Sequence, residues 1–105
     1  MNKKTFIAYD GKEIHYREWL PEGDKKGILQ ISHGMAEGIA RYEKFAEFMA
    51  NNGYIVIGDD HRAHGETDPG RTGYADGDIF YDTLKDMDML GRIYKEQYQI
   101  GRAHV

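Results

Sequence analysis

Gly27-Ile28-Leu29-Gln30-Ile31-Ser32-His33-Gly34-Met35 is the stretch whose reading decides the fold. The apolar run is broken only by Gln30, so it reads as a strand covered on both faces; a strand with one wet face would alternate. His33-Gly34 ends it as a turn, and glycine lets the backbone bend sharply there. Downstream, Arg41 to Asn52 puts Tyr42, Phe45, Ala46, Met49 and Ala50 on one helical face. Asn52-Gly53 stops that helix, with Gly53 suited to the left-handed position after the last turn. Tyr54-Ile55-Val56-Ile57-Gly58 is a second continuous apolar run. Strand, helix and strand from Gly27 to Asp59 make a parallel βαβ unit, because parallel neighbours need a crossover between them.

Upstream, Lys4 to Tyr9 reads as a strand with Phe6 and Ala8 on one face and Ile7 and Tyr9 on the other. Asp10-Gly11 is a hairpin signal. Glu13 to Trp19 alternates, with Ile14, Tyr16 and the lone Trp19 as apolar anchors, and Pro21 to Lys26 is a polar connection. Beyond the βαβ unit, Asp59 to Asp78 is polar and glycine-rich and reads as a long surface loop. Ile79 to Tyr98 returns to helical period, with Phe80, Leu84, Met87, Leu90 and Tyr94 in register. Asp82, Asp86 and Asp88, near Lys85 and Arg92, read as a solvated helix face. The fold class is therefore α/β: β-hairpin, parallel βαβ unit, loop, helix.

At 105 residues the chain makes one small domain, and 40% hydrophobic content marks it as globular. Its net charge of -4 comes from 14 basic and 18 acidic residues without a basic stretch, which argues against nucleic acid as a partner. The start, Met1 to Asp10, lacks the apolar core of a signal peptide, and no run approaches the roughly 20 apolar residues that span a bilayer. Zero cysteines exclude disulfides and thiolate metal sites and fit a cytoplasmic protein. Neither a Gly-x-Gly-x-x-Gly stretch nor a P-loop is present, so no nucleotide cofactor is expected.

Ser32 is the only serine. Adjacent strand residues point to opposite faces, so His33 is poorly placed to take its proton, and a structural hydroxyl is expected. His61 and His64, with Asp59 and Asp60, have a spacing compatible with metal ligands. They lie in a glycine-flanked loop without a third well-spaced histidine, and no metal is expected there. His15 reads as a partly exposed residue of an amphipathic strand.

At His33-Gly34-Met35-Ala36-Glu37 and Arg41-Tyr42 the chain resembles the monoacylglycerol lipase / lysophospholipase branch of the α/β-hydrolase superfamily, which shows His-Gly-x-x-Glu-His-Ser-x-Arg-Tyr here. Asp60-His61-Arg62-Ala63-His64-Gly65 resembles the branch's Asp-His-Arg-Gly-His-Gly loop after the next strand. Gly38 and Ile39 replace the usual His and Ser, a pair placed to alter the mouth of the acyl site; Ala63 replaces a glycine and Thr67 a serine. The resemblance implies the N-terminal part of an α/β-hydrolase fold, truncated before the Gly-x-Ser-x-Gly nucleophile elbow.

It also implies that the Met35 backbone N–H is one oxyanion-hole donor, with Gly34 and His33 shaping the loop; a plain strand-ending turn is the alternative. Asp60, His61, Arg62, His64 and Gly65 would form a structural loop, and no residue present would be a catalytic triad member. The full-length parent would be a carboxylic ester hydrolase acting on small acyl esters, needing no cofactor, and the chain alone would be inactive and unlabelled by phosphonates. Two alternatives stand: a fragment of another enzyme of this fold, such as a peptidase or dehalogenase, or a short non-catalytic binding protein.

Residues 1–99 then make a partial domain, and residues 100–105 depart from the expected apolar strand. Ile100-Gly101-Arg102-Ala103-His104-Val105 is the translation of ATC GGA AGA GCA CAC GTC, a string shared with a common sequencing-library adapter, so a non-native tail is expected. Truncation at this point would leave the Gly27–Ser32 strand with an open edge through which the fragment could self-associate.

Overall fold

The computed structural model describes residues 1–34, 38–62, 65–68, 79–99 and 102–104. The first two strands, β1 (Asn2–Ile7) and β2 (Glu13–Trp19), form the hairpin. Asp10-Gly11 closes it: the Gly11 N–H donates to the Ala8 carbonyl, and Gly11 takes φ +86°, a conformation that costs glycine least. β3 (Gly27–Gln30) leads through a 3₁₀ turn (Ile39–Tyr42) into α1 (Glu43–Asn51), and β4 (Tyr54–Asp59) follows. α2 (Ile79–Tyr98) precedes β5 (Arg102–His104). The sheet order is β1-β2-β4-β3-β5. β1, β2 and β4 pair antiparallel, whereas β4, β3 and β5 pair parallel.

Two apolar clusters lie on opposite faces of the sheet. Phe6, Ala8, Ile14, Tyr16, Ile28, Ile55 and Ile57 pack with Leu90 and Tyr94 of α2. Trp19, Leu29, Ile31 and Val56 pack with Ile39 and with Ala46 and Ala50 of α1. Ile28 and Leu29 are consecutive yet belong to different clusters, as the two-residue period of a doubly covered strand requires. Each fully buried Ile or Leu contributes roughly 1.5–3 kcal/mol. Gly53 takes φ +98° just past α1, with its N–H donating to the Ala50 carbonyl.

Several expectations change. Trp19 faces α1, not the cluster of Ile14 and Tyr16, because it is an odd number of residues away. Phe45 and Leu84 are exposed although both share the apolar period of their helices. Asp86 is buried on α2, not solvated, while Asp88 stays exposed and pairs with Arg92 at 2.7 Å. The loop after β4 begins inside the molecule: Asp60, His61, Arg62 and Thr67 are all buried. Ile39 is fully buried under Gly58 instead of standing at a site mouth. Finally, β3 does not end at a bare edge: β5 pairs with it, Ile28 to Arg102 through Gln30 to His104. The left-handed Gln99 (φ 54°) after α2 precedes that strand.

Candidate functional site

The carboxyl ends of β3 and β4 bring together the residues with chemistry, where open α/β sheets place their ligands. The parallel register sets Gln30 beside Ile57, and the Ile31 N–H donates to the Ile57 carbonyl at 2.8 Å. Carried two residues on, the same register sets Ser32 beside Asp59. Both then project to the α2 face, as Ile28, Ile55 and Ile57 do.

Ser32 is exposed, and its Oγ lies 3.2 Å from Nε2 of His61. Nδ1 of His61 lies 3.0 Å from Oδ2 of Asp59, whose side chain is fully buried. A carboxylate only accepts, so Nδ1 carries the proton and Nε2 is left to accept from the Ser32 hydroxyl. Burial works against a charged His61, but the Asp59 hydrogen bond and charge, helped by Asp60, outweigh it and raise its pKa.

His33 has a different role. The His61 backbone N–H donates to Nε2 of His33 at 2.8 Å, so Nδ1 carries the proton and donates to the Gly34 carbonyl, also at 2.8 Å. The rings of His33 and His61 lie against each other, centroids 3.8 Å apart.

Asp60 joins the two loops. Its Oδ1 accepts the Ile39 N–H at 2.7 Å and its Oδ2 the Glu66 N–H at 3.0 Å. Thr67 donates its hydroxyl to the Asp60 carbonyl at 2.7 Å and accepts the His15 N–H at 3.0 Å. Gly65, at φ +48°, leaves room for that carboxylate: a Cβ there would meet Asp60 Cγ at 2.4 Å. Gly38 does the same on the other side, where a Cβ would lie 3.0 Å from Asp60 Oδ1.

Arg62 ties the loop to the hairpin and to α2. Its Nε donates to Asp86 Oδ2 at 2.7 Å and its Nη1 to Asp10 Oδ2 at 2.6 Å. Burial raises the pKa of Asp86, and the Arg62 hydrogen bond and charge only partly offset it. The hydrogen bonds to Asp10 and Asp86 raise the pKa of Arg62 further above its ordinary value.

Of the residues singled out by sequence, His33, Gly34, Asp60, His61, Arg62 and Gly65 converge on this end of the sheet. Met35 and His64 lie outside the described residues. The sequence suggests a structural hydroxyl for Ser32 and no metal at Asp59; the structure gives Ser32 a histidine partner 29 positions away instead of its neighbour. Strand register, once known, is the signal that finds it. Asp59 and His61 bond to each other, and among the described residues no group of three His, Asp or Glu is arranged to hold a metal ion. Among the described residues, no helix is long and apolar enough to cross a membrane.

Sheet order, βαβ crossover and polar loops define the front portion of an α/β-hydrolase fold. The chain belongs to the family described as Serine aminopeptidase, S33 (Hydrolase_4), which it matches over residues 23–103. It is 31% identical over 89 residues to Monoglyceride lipase of Homo sapiens, covering 84% of this chain and 29% of that one. A highly thermostable carboxyl esterase from Bacillus coagulans superposes with a TM-score of 0.84 at 28% identity, over 98% of this chain and 34% of that one. A soluble variant of monoglyceride lipase from Saccharomyces cerevisiae gives 0.80 at 20% identity, over 98% and 34%, a likeness of fold alone. The chain spans about 30% of the length of the mammalian monoglyceride lipases it matches.

Proposed function

We propose that this chain is the front part of a serine ester hydrolase of the monoglyceride lipase kind, and that its parent cleaves monoacylglycerols, lysophospholipids or similar small acyl esters. In that role the Met35 N–H is one donor to the oxyanion, with Gly34 and His33 shaping its turn. Removal of one such donor costs on the order of 3–4 kcal/mol of transition-state stabilisation. The observation that carries the reading is the anchoring on either side of residues 35–37. His33 donates to the Gly34 carbonyl and accepts the His61 N–H, and Asp60 accepts the Ile39 N–H, so the residues on both sides of 35–37 are tied to the loop after β4. His64 belongs to the same loop by resemblance. Relatives named as lipases and esterases favour ester over peptide chemistry, although the family's description is that of an aminopeptidase. A chain without cysteine fits the cytoplasm.

The chain by itself does not turn over glycerides, because the elbow nucleophile and its acid and base belong to the remainder of the parent. The test is a chimera: residues 1–99 replace the matching part of human monoglyceride lipase. Hydrolysis of a monoacylglycerol, with no cleavage of an aminoacyl p-nitroanilide, is the expected result. A folded chimera that cleaves only the anilide would overturn the ester assignment. The 105-residue chain alone is expected to leave the monoacylglycerol intact.

A further inference from the structure

We propose that Ser32, His61 and Asp59 form a nucleophilic triad of their own, able to react covalently with activated acyl and phosphonyl electrophiles. The geometry has the three links such chemistry needs: an exposed hydroxyl, a base within reach of its proton, and a buried carboxylate fixing that base's tautomer. Ser32 Oγ to His61 Nε2 is 3.2 Å, and His61 Nδ1 to Asp59 Oδ2 is 3.0 Å. The order along the chain is Ser, Asp, His.

Asp59 supplies a second, independent observation. Its side chain is wholly buried, and its Oδ1 has no hydrogen-bond partner among the described residues. A buried carboxylate with half its acceptor capacity unused is costly unless a positive charge can form beside it. His61 is the group that can take up that charge. Contact with the tilted His33 ring and the hydrogen bond from the His61 N–H to His33 Nε2 hold the ring and backbone of the base in place.

The reaction follows from these positions. Ser32 Oγ attacks the carbonyl carbon of an aryl ester and passes its proton to His61 Nε2 as the Oγ–C bond forms. The C–O bond to the aryl leaving group then breaks, and the phenolate takes that proton from His61. With a fluorophosphonate, Oγ–P forms, P–F breaks, fluoride leaves and the proton passes through His61 to water. General-base assistance is worth about 10²–10⁴-fold. That suffices for leaving groups of this quality and not for a glyceride alkoxide, so the triad labels without making the chain a lipase.

The experiment is incubation of the 105-residue chain with a fluorophosphonate, followed by intact mass and peptide mapping. One adduct on Ser32 is expected, absent in Ser32→Ala and slowed by about tenfold or more in His61→Gln and Asp59→Asn. Far-ultraviolet circular dichroism checks that each variant is folded. Ser32→Cys gives a second reading, because the chain has no other thiol. Alkylation of that variant by iodoacetamide at pH 7 should run about tenfold faster than that of free cysteine and lose this advantage with His61→Gln. An adduct that survives Ser32→Ala, a folded chain that takes no adduct, or a Ser32→Cys thiol no faster than free cysteine would each overturn the proposal.

Discussion

The carboxylate of Asp60 accepts one backbone N–H from each of two loops and sits against the Cα atoms of two glycines. Truncation to alanine would leave both N–H groups without that acceptor. Asp60→Ala is expected to cost roughly 3 kcal/mol, since hydrogen bonds to charged groups contribute about 1.5–3 kcal/mol each. Gly65→Ala is expected to cost about 2 kcal/mol, from the left-handed backbone and from collision with the same carboxylate. In the Asp60→Ala background the collision disappears and only the backbone part remains. Urea denaturation of the two single variants and the double variant should therefore show coupling of about 0.5 kcal/mol or more. Strict additivity would mean that Asp60 does not occupy the space beside Gly65. At this scale the sequence exposes the residue types but hides the partnerships. Asp60 and Gly65 are readable as a turn-bearing loop, yet nothing local says that Asp60 reaches back to Ile39. Ser32 likewise sits next to a histidine that is not its partner, because its actual partner is set by a strand register that the sequence does not state.

The elements were the most legible level, because period and punctuation act over many residues at once. β2 and α2 begin and end where the alternation and the helical spacing indicate. What the period could not weigh was how far each apolar stripe is covered. Phe45 and Leu84 fit their helices' pattern and remain exposed, since the neighbouring layer does not reach them. The converse error, Asp86, arises because Arg62 arrives from another loop to meet it. That guanidinium also binds Asp10 of the hairpin and holds the Asp10 carboxyl at about 2, below its ordinary 3.8. An acid whose pKa is lower in the folded state stabilises the fold above its unfolded value, and the contribution is lost as pH falls through the folded value. The Arg62–Asp10 link should thus be intact above about pH 4 and fade towards pH 2. Asp86 works with the opposite sign: burial raises its pKa, so protonation on acidification relieves its charge. The way to isolate Asp10 is to compare melting temperatures of the wild-type chain and Asp10→Asn from pH 2 to 6. The gap between them should hold above about pH 4 and close towards pH 2. A gap independent of pH would exclude the ion pair as its source.

For the molecule as a whole, the parallel part of the sheet depends on what covers the outer side of β3. Ile28 and Leu29 are buried by opposite layers, so their strand carries apolar residues on both faces right beside the rim that β5 covers. β5 supplies three paired positions on that rim, Arg102 to His104, and it comes from the tail whose composition looks least like a strand. Parallel pairing is a backbone property, so three residues of unpromising sequence can still satisfy the N–H and C=O groups of an exposed neighbour. The shield is short, and an uncovered β3 would offer its backbone and a continuous apolar run to another chain. We therefore expect the chain ended at Gln99 to self-associate more than the 105-residue chain at equal concentration, by sedimentation velocity. Pro substituted at Ala103 removes one N–H of β5 and should move the longer chain part of the way towards the same behaviour. If the shorter chain sediments like the longer one, the rim of β3 is not where molecules of this protein meet. The cause of any association would then have to be sought in the exposed rings of Phe45 and Phe48 on α1.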